Sequence, residues 1–116
     1  MVNVKVKREA GEGGLCAGCG AIRKITVYGH AEYAIQGEDI VCAAASATIY
    51  TAAGALGVLC GAPNNCSTER DGYFEIDVPD FADKDRAYRA DIIMETAYIG
   101  FKQIEASYKG FLKVSE

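Results

Sequence analysis

Histidine is almost absent from this chain: among 116 residues, His30 is the only one. Imidazole chemistry, if there is any, rests on that position. Long Lys/Arg clusters are missing too. Twelve basic residues against 16 acidic ones give a formal net charge of -4, so composition gives no support to a nucleic-acid partner. The opening "MVNVKVKREAGEGG" alternates apolar and charged residues and holds no secretory apolar region. The expected location is therefore the reducing cytoplasm, where cysteines are more often catalytic, metal-bound or buried than disulfide-bonded. Between Ile40 and Asn65 there is no charged residue. That run is long enough to cross a bilayer. It is built from Ala, Ser, Thr and Gly, is entered through Glu38 and Asp39, and lacks Lys/Arg anchors. A buried helix is expected, and no membrane partner. No internal repeat or low-complexity tail is visible.

Half the residues are apolar, which suits one modest core and one domain over residues 1–116. Residues 2–7, "VNVKVK", alternate strictly and predict a half-buried strand. The Gly-rich "AGEGGLCAGCGA" reads as a loop, and "RKITVYG" as a second strand that can pair back on the first. Asp39 is the candidate N-cap of a helix that is Ala-rich to about Gly57, and Gly54, Gly57 and Gly61 suggest that it ends there. "APNNCSTERDG" reads as a loop, with a further strand conceivable near Leu59. "YFEIDVP" alternates again and predicts a third strand. Over 83–108, the residues Ala90, Met94, Ala97, Phe101, Ile104 and Tyr108 form one apolar helical stripe. A closing "FLKV" suggests a last short strand. The fold expected is α+β in two layers: a small, mostly antiparallel sheet with two main helices, in the order β-β-α-β-α-β.

The chemistry concentrates in "GHAEYAIQGEDIVCAAASA". With Asp39 as cap, Cys42 lies in the first helical turn, where unpaired N–H groups and the helix dipole favour a thiolate. The same N–H groups suit an oxyanion formed on a bound carbonyl. His30, at the end of a strand, could fold over the helix start and act as base and then acid. Ser46 follows Cys42 by four residues, on the same helical face. Ala43, Ala44 and Ala45 leave room for an extended peptide or a close neighbour. The alternative is plain packing, since cysteine is among the most buried residue types.

The stretch "ITVYGHAEYAIQGEDIVCAAASA" resembles the signature of the ribosomal-processing cysteine protease family, Prp. The resemblance rests on Gly29, His30, Ala31, Asp39, Ile40, Val41, Cys42, Ala43, Ala44 and Ser46. The opening "VNVKVKRE" and the tail "YIGFKQIEASYKGFLKV" are similar to the family as well. The resemblance implies a cysteine endopeptidase with Cys42 as nucleophile, His30 as base and no cofactor. Asp39, Ser46 and Gly29 would support loop and helix-start geometry and hydrogen bonding. It also implies removal of an N-terminal extension from a large-subunit ribosomal protein, a homodimer, and a mobile loop around His30 hinged at Gly29 and Gly37. Processing of phage capsid or scaffold proteins is the alternative activity.

Two segments depart from that pattern: "GLCAGCG" and "CGAPNNCSTERDG". Cys16 and Cys19 form a C-x-x-C pair compatible with a zinc knuckle, which Cys60 and Cys66 could complete. Their own C-x5-C spacing lies outside the usual range. These four are the candidate metal ligands, and the competing reading is a non-enzymatic thiol-rich or zinc-binding ribosome-associated adaptor. Of the seven tyrosines, some could line a substrate groove, but most are expected to be half-buried packing residues.

Overall fold

The computed structural model describes residues 1–10, 15, 20–29 and 38–116, with only the backbone of Glu38 and Asp39. His30, Cys16, Cys19 and Gly37 lie outside these residues. The elements are β1 (Val2–Arg8), β2 (Ile22–Tyr28), α1 (Glu38–Cys60), β3 (Ser67–Arg70), β4 (Tyr73–Asp77), α2 (Lys84–Ser107) and β5 (Leu112–Ser115). A single 3-10 turn, Asn64–Cys66, precedes β3.

The strands form one sheet in the order β3-β4-β2-β1-β5. The β1–β2, β2–β4 and β3–β4 pairs are antiparallel, and β5 lies parallel to β1. The α+β architecture is thus the expected one, with one strand more than expected. Alternation explains the sheet's two faces. Val2, Val4, Val6, Ile25, Ile76 and Leu112 turn inward and are buried, while their neighbours in sequence turn out.

The added strand is β3. "STER" shows no apolar alternation, because it is an edge strand that bonds through its backbone and buries no side chain. It returns to β4 through Asp71–Gly72, where Gly72 takes φ +66°, a conformation other residues resist. There is no strand near Leu59.

Helix α1 runs beyond Gly57 to Cys60. Val41, Ala45, Ile49, Ala52, Leu56 and Cys60 step by four, four, three, four and four along its buried face. Nothing lies within 4 Å of a side chain at Gly54 or Gly57, so neither interrupts packing. The stop comes at Gly61, φ +68°. Its N–H donates to the Gly57 carbonyl (3.1 Å) and that of Ala62 to Leu56 (3.1 Å). Only one face of this helix is buried. Ile40, Tyr50, Val58 and Leu59 are exposed on the rest. Residues Ile40–Cys60 are long and apolar enough to cross a membrane by length and composition, but in this fold they pack on the sheet and α2.

Helix α2 starts where its sequence says. The Asp83 carboxylate accepts from the Asp85 N–H at 2.9 Å. Ala90, Met94, Ala97 and Phe101 are buried, Ile104 is half-buried, and Tyr108 falls just outside the helix. Below the sheet, Arg8 grips the buried Glu95 of α2 through both carboxylate oxygens, at 2.6 and 3.2 Å. This ties the first strand to the last helix.

Candidate active site

The N-terminal half of α1 faces one end of the sheet across a cleft of about 260 Å³. Cys42, Ser46 and Tyr50, four residues apart, form the helical wall, with Ala45 and Ile49 beside them. Val2, Val27 and Phe74 supply an apolar floor. Gly29, Gly72 and the hairpin residues Glu69, Arg70 and Tyr73 make the rim.

Cys42 is half-buried. Its position in the helix differs from the sequence expectation. Glu38 is already helical, so Asp39 is the second helical residue and not the cap. With Glu38 helical, the N–H of Cys42 belongs to the helical ladder. The free N–H groups of a helix belong to its start, at least one turn earlier here. Helical side chains lean toward the N-terminus, so Cys42 still points back at that turn.

Ser46 is half-buried, and its hydroxyl makes no hydrogen bond among the described residues. Thr48 and Thr51, by contrast, spend their hydroxyls on carbonyls one turn back, at 2.8 and 2.6 Å.

Gly29 is where the cleft meets the segment that carries His30. It takes φ +86°, and a side chain there would come within 2.8 Å of the Met1 carbonyl oxygen. Its N–H donates to the Gly72 carbonyl at 3.1 Å, which joins the ends of the two hairpins. The residue preceding His30 therefore lines the same cleft as Cys42.

Three residues complete the cleft: Tyr50 and Tyr73, two of the tyrosines that could line a groove, and Glu69, which no sequence signal marks. The Tyr50 hydroxyl donates to Glu69 at 2.6 Å, which pushes the phenol's pKa up. Tyr50 also packs edge-on against Phe74, with ring centroids 5.1 Å apart. Tyr73 donates to Glu75. That bond, with Lys24 beside it, holds the Glu75 carboxyl below its ordinary range. Helical spacing from Cys42 would have pointed to Tyr50. Glu69 was hidden because β3 carries no strand signal. The expectation that most tyrosines are half-buried holds for Tyr28, Tyr73 and Tyr98, whereas Tyr50, Tyr88 and Tyr108 are exposed.

The candidate metal ligands divide. Cys60 lies in the core and Cys66 packs against it. Burial pushes both thiols up, whereas a metal needs them deprotonated. Cys16 and Cys19 lie outside the described residues. Among the described residues, no three His, Cys, Asp or Glu side chains converge as a metal site requires.

Comparison with known proteins decides the family. Residues 1–113 match the profile of the family described as "Cysteine protease Prp". The chain belongs to the Prp cysteine proteases. It is 29% identical over 116 residues to the ribosomal processing cysteine protease Prp of Bacillus subtilis (strain 168), covering 99% of this chain and 96% of that one. The fold matches a crystal structure of Prp from S. aureus in complex with a substrate peptide, with TM-score 0.78, 24% identity, and 99% and 98% of the two chains covered. It also matches a Streptococcus mutans protein with TM-score 0.73, 23% identity, and 99% and 92% covered. The resemblance seen in "GHAEYAIQGEDIVCAAASA" thus reflects membership, and the chain is a cysteine protease.

Proposed function

We propose that this chain is a cytoplasmic endopeptidase of one domain. It removes an N-terminal extension from a large-subunit ribosomal protein, with Cys42 as nucleophile and His30 as general base and acid. The observation that carries this reading is the shared cleft: Cys42 and Ser46 form its helical wall, and Gly29, which precedes His30 in sequence, lies at its rim. The relative in Bacillus subtilis, named for ribosomal processing, supports the substrate class.

In the first step, the Cys42 sulfur attacks the scissile carbonyl carbon after His30 has taken the thiol proton. The carbonyl oxygen becomes an oxyanion beside the N-terminal N–H groups of α1. His30 returns the proton to the leaving amine as the C–N bond breaks, leaving an acyl thioester on Cys42. Water, deprotonated by His30, then attacks the thioester carbonyl; the C–S bond breaks, the acid is released, and His30 returns the proton to the Cys42 sulfur. Ser46 lends a hydroxyl to the site, and Asp39 shapes the turn before Cys42. The apolar floor of Val2, Val27 and Phe74 holds substrate side chains.

A homodimer suits the outer helical surface. Between α1 and α2 lies an apolar groove of about 420 Å³, lined by Ala47, Thr51, Ala55, Ile92, Ile93 and Thr96. Val58, Leu59 and Ile99 are exposed on the same two helices.

The test is cleavage of peptides spanning ribosomal-protein extensions, run beside phage capsid and scaffold peptides. Cys42→Ala and His30→Ala should each abolish turnover. Iodoacetamide should label Cys42 selectively near neutral pH, more slowly in His30→Ala. Unchanged turnover in either variant refutes the mechanism. Preferential cutting of the phage peptides refutes the ribosomal assignment.

A further inference from the structure

We infer that the open face of the sheet, on the side away from both helices, is a binding surface for single-stranded RNA. The inference does not depend on which peptide the cleft cuts.

The strand register assembles this surface from residues far apart in sequence. One cross-strand row runs Lys113, Asn3, Tyr28, Tyr73, Arg70. The next runs Ser115, Lys5, Thr26, Glu75, Thr68, and a third runs Lys7, Lys24, Asp77. Five cations thus stand on one face of a chain whose net charge is -4. The two carboxylates there are already engaged: Lys24 bridges Glu75 at 3.2 Å and Asp77 at 3.7 Å. Elsewhere Arg8, Arg23, Arg86 and Lys102 are each paired with an acid, while Lys84, Arg89 and Lys109 make no ion pair among the described residues but are not gathered on one face of the sheet. Lys5, Lys7 and Lys113 are exposed and make no ion pair among the described residues. Lys5, Lys7 and Lys24, with Thr26, line a groove of about 440 Å³ whose carboxylate, Glu116, is held by Arg8.

Aromatic rings lie between the cations. Tyr28 and Tyr73 sit side by side, centroids 6.5 Å apart and planes 33° from parallel, and Arg70 lies over the Tyr73 ring at 5.4 Å. Cations along a backbone track with tyrosines between them fit phosphates and unstacked bases. A flat sheet face is too broad to enter a duplex groove. The rows carry no aliphatic side chain, which disfavours a membrane surface.

The experiment is fluorescence anisotropy of the full chain with a labelled single-stranded RNA of about 12 nucleotides. Micromolar binding is expected at low salt. With about four phosphate contacts at about 0.7 ions each, affinity should fall about fifty-fold between about 50 and 200 mM KCl. The triple variant Lys5→Glu, Lys7→Glu, Lys113→Glu should bind at least about tenfold more weakly while cutting a short peptide normally, because none of these lysines lines the cleft. If that variant does not fold, Lys5→Gln and Lys7→Gln singly should each lower both affinity and salt slope. Tyr28→Ala should weaken binding about tenfold with the slope unchanged. No binding at about 100 μM protein and low salt overturns the inference, as does binding indifferent to these substitutions. Tighter binding to a poly-glutamate peptide or to anionic phospholipid vesicles overturns it as well.

Discussion

The pair of Arg8 and Glu95 offers the sharpest test of how the fold is held. Glu95 is 6% exposed. Arg8 meets both of its oxygens, donates to the Gly20 carbonyl at 3.0 Å and to Glu116 at 2.9 Å, and lies 5.1 Å from the centre of the Tyr98 ring. The Glu95 hydrogen bond pushes the guanidinium further above its ordinary range. Arg8→Met keeps the apolar stem and removes the charge, leaving a carboxylate in the interior. Breaking a buried pair this way costs about 3–5 kcal/mol. For a domain with about 5–15 kcal/mol in total, that is a large share. At about 2 kcal/mol per molar urea, the unfolding midpoint should fall by about 2 M. The assay is equilibrium urea unfolding by circular dichroism at fixed protomer concentration, since association would add stability. Arg8→Met with Glu95→Leu should recover most of the loss, because the buried charge goes with its partner. A single-variant shift below about 0.5 M refutes the reasoning, as does a double variant no better than the single.

Three further outcomes are expected. Gly29→Ala places a side chain at φ +86° and 2.8 Å from a carbonyl oxygen. It should lower the melting temperature by about 5–10 °C and reduce kcat/KM; an unchanged melt counts against the strain. Phe101→Ala empties a fully buried site and should cost about 3–5 kcal/mol by urea unfolding; a cost under about 1 kcal/mol would deny its place in the core. The Glu105 carboxyl is held below its ordinary value of 4.5, first by the Val114 N–H and then by Lys102. A depressed folded pKa contributes stability above the unfolded value and loses it as pH falls through the folded one. Glu105→Gln should therefore flatten the decline in stability below about pH 4.5, and an unaltered acid limb contradicts the assignment.

Where side-chain pattern and burial coincide, the sequence was a good guide. The alternation of Val2, Val4 and Val6 and the stripe from Ala90 to Phe101 fall where expected, since each buries one face. The failures have physical causes. "STER" became a strand through backbone pairing alone, which composition does not record. Of the three glycines expected to end α1, Gly61 does, whereas Gly54 and Gly57 lie on its open side while Leu56 and Cys60 continue the buried one. Asp39 resembles a cap, but Glu38 before it is already helical. Cys42 and Ser46 were readable from helical spacing, and the rim residue Glu69 was not, because it depends on the hairpin. The row of cations across the sheet is invisible in a linear reading, which sees only isolated lysines.

The parallel pairing of β5 with β1 has a consequence for the order in which the molecule is made. Val2 lines the cleft, and its strand acquires its second neighbour only from residues 112–115. One side of β1 waits for a partner far along the chain, Val2 pairing with Leu112. Such distant pairing slows folding and leaves an open strand edge meanwhile. The cleft beside that strand is therefore finished late, so a nascent chain should not cut peptides until its last strand has left the ribosome.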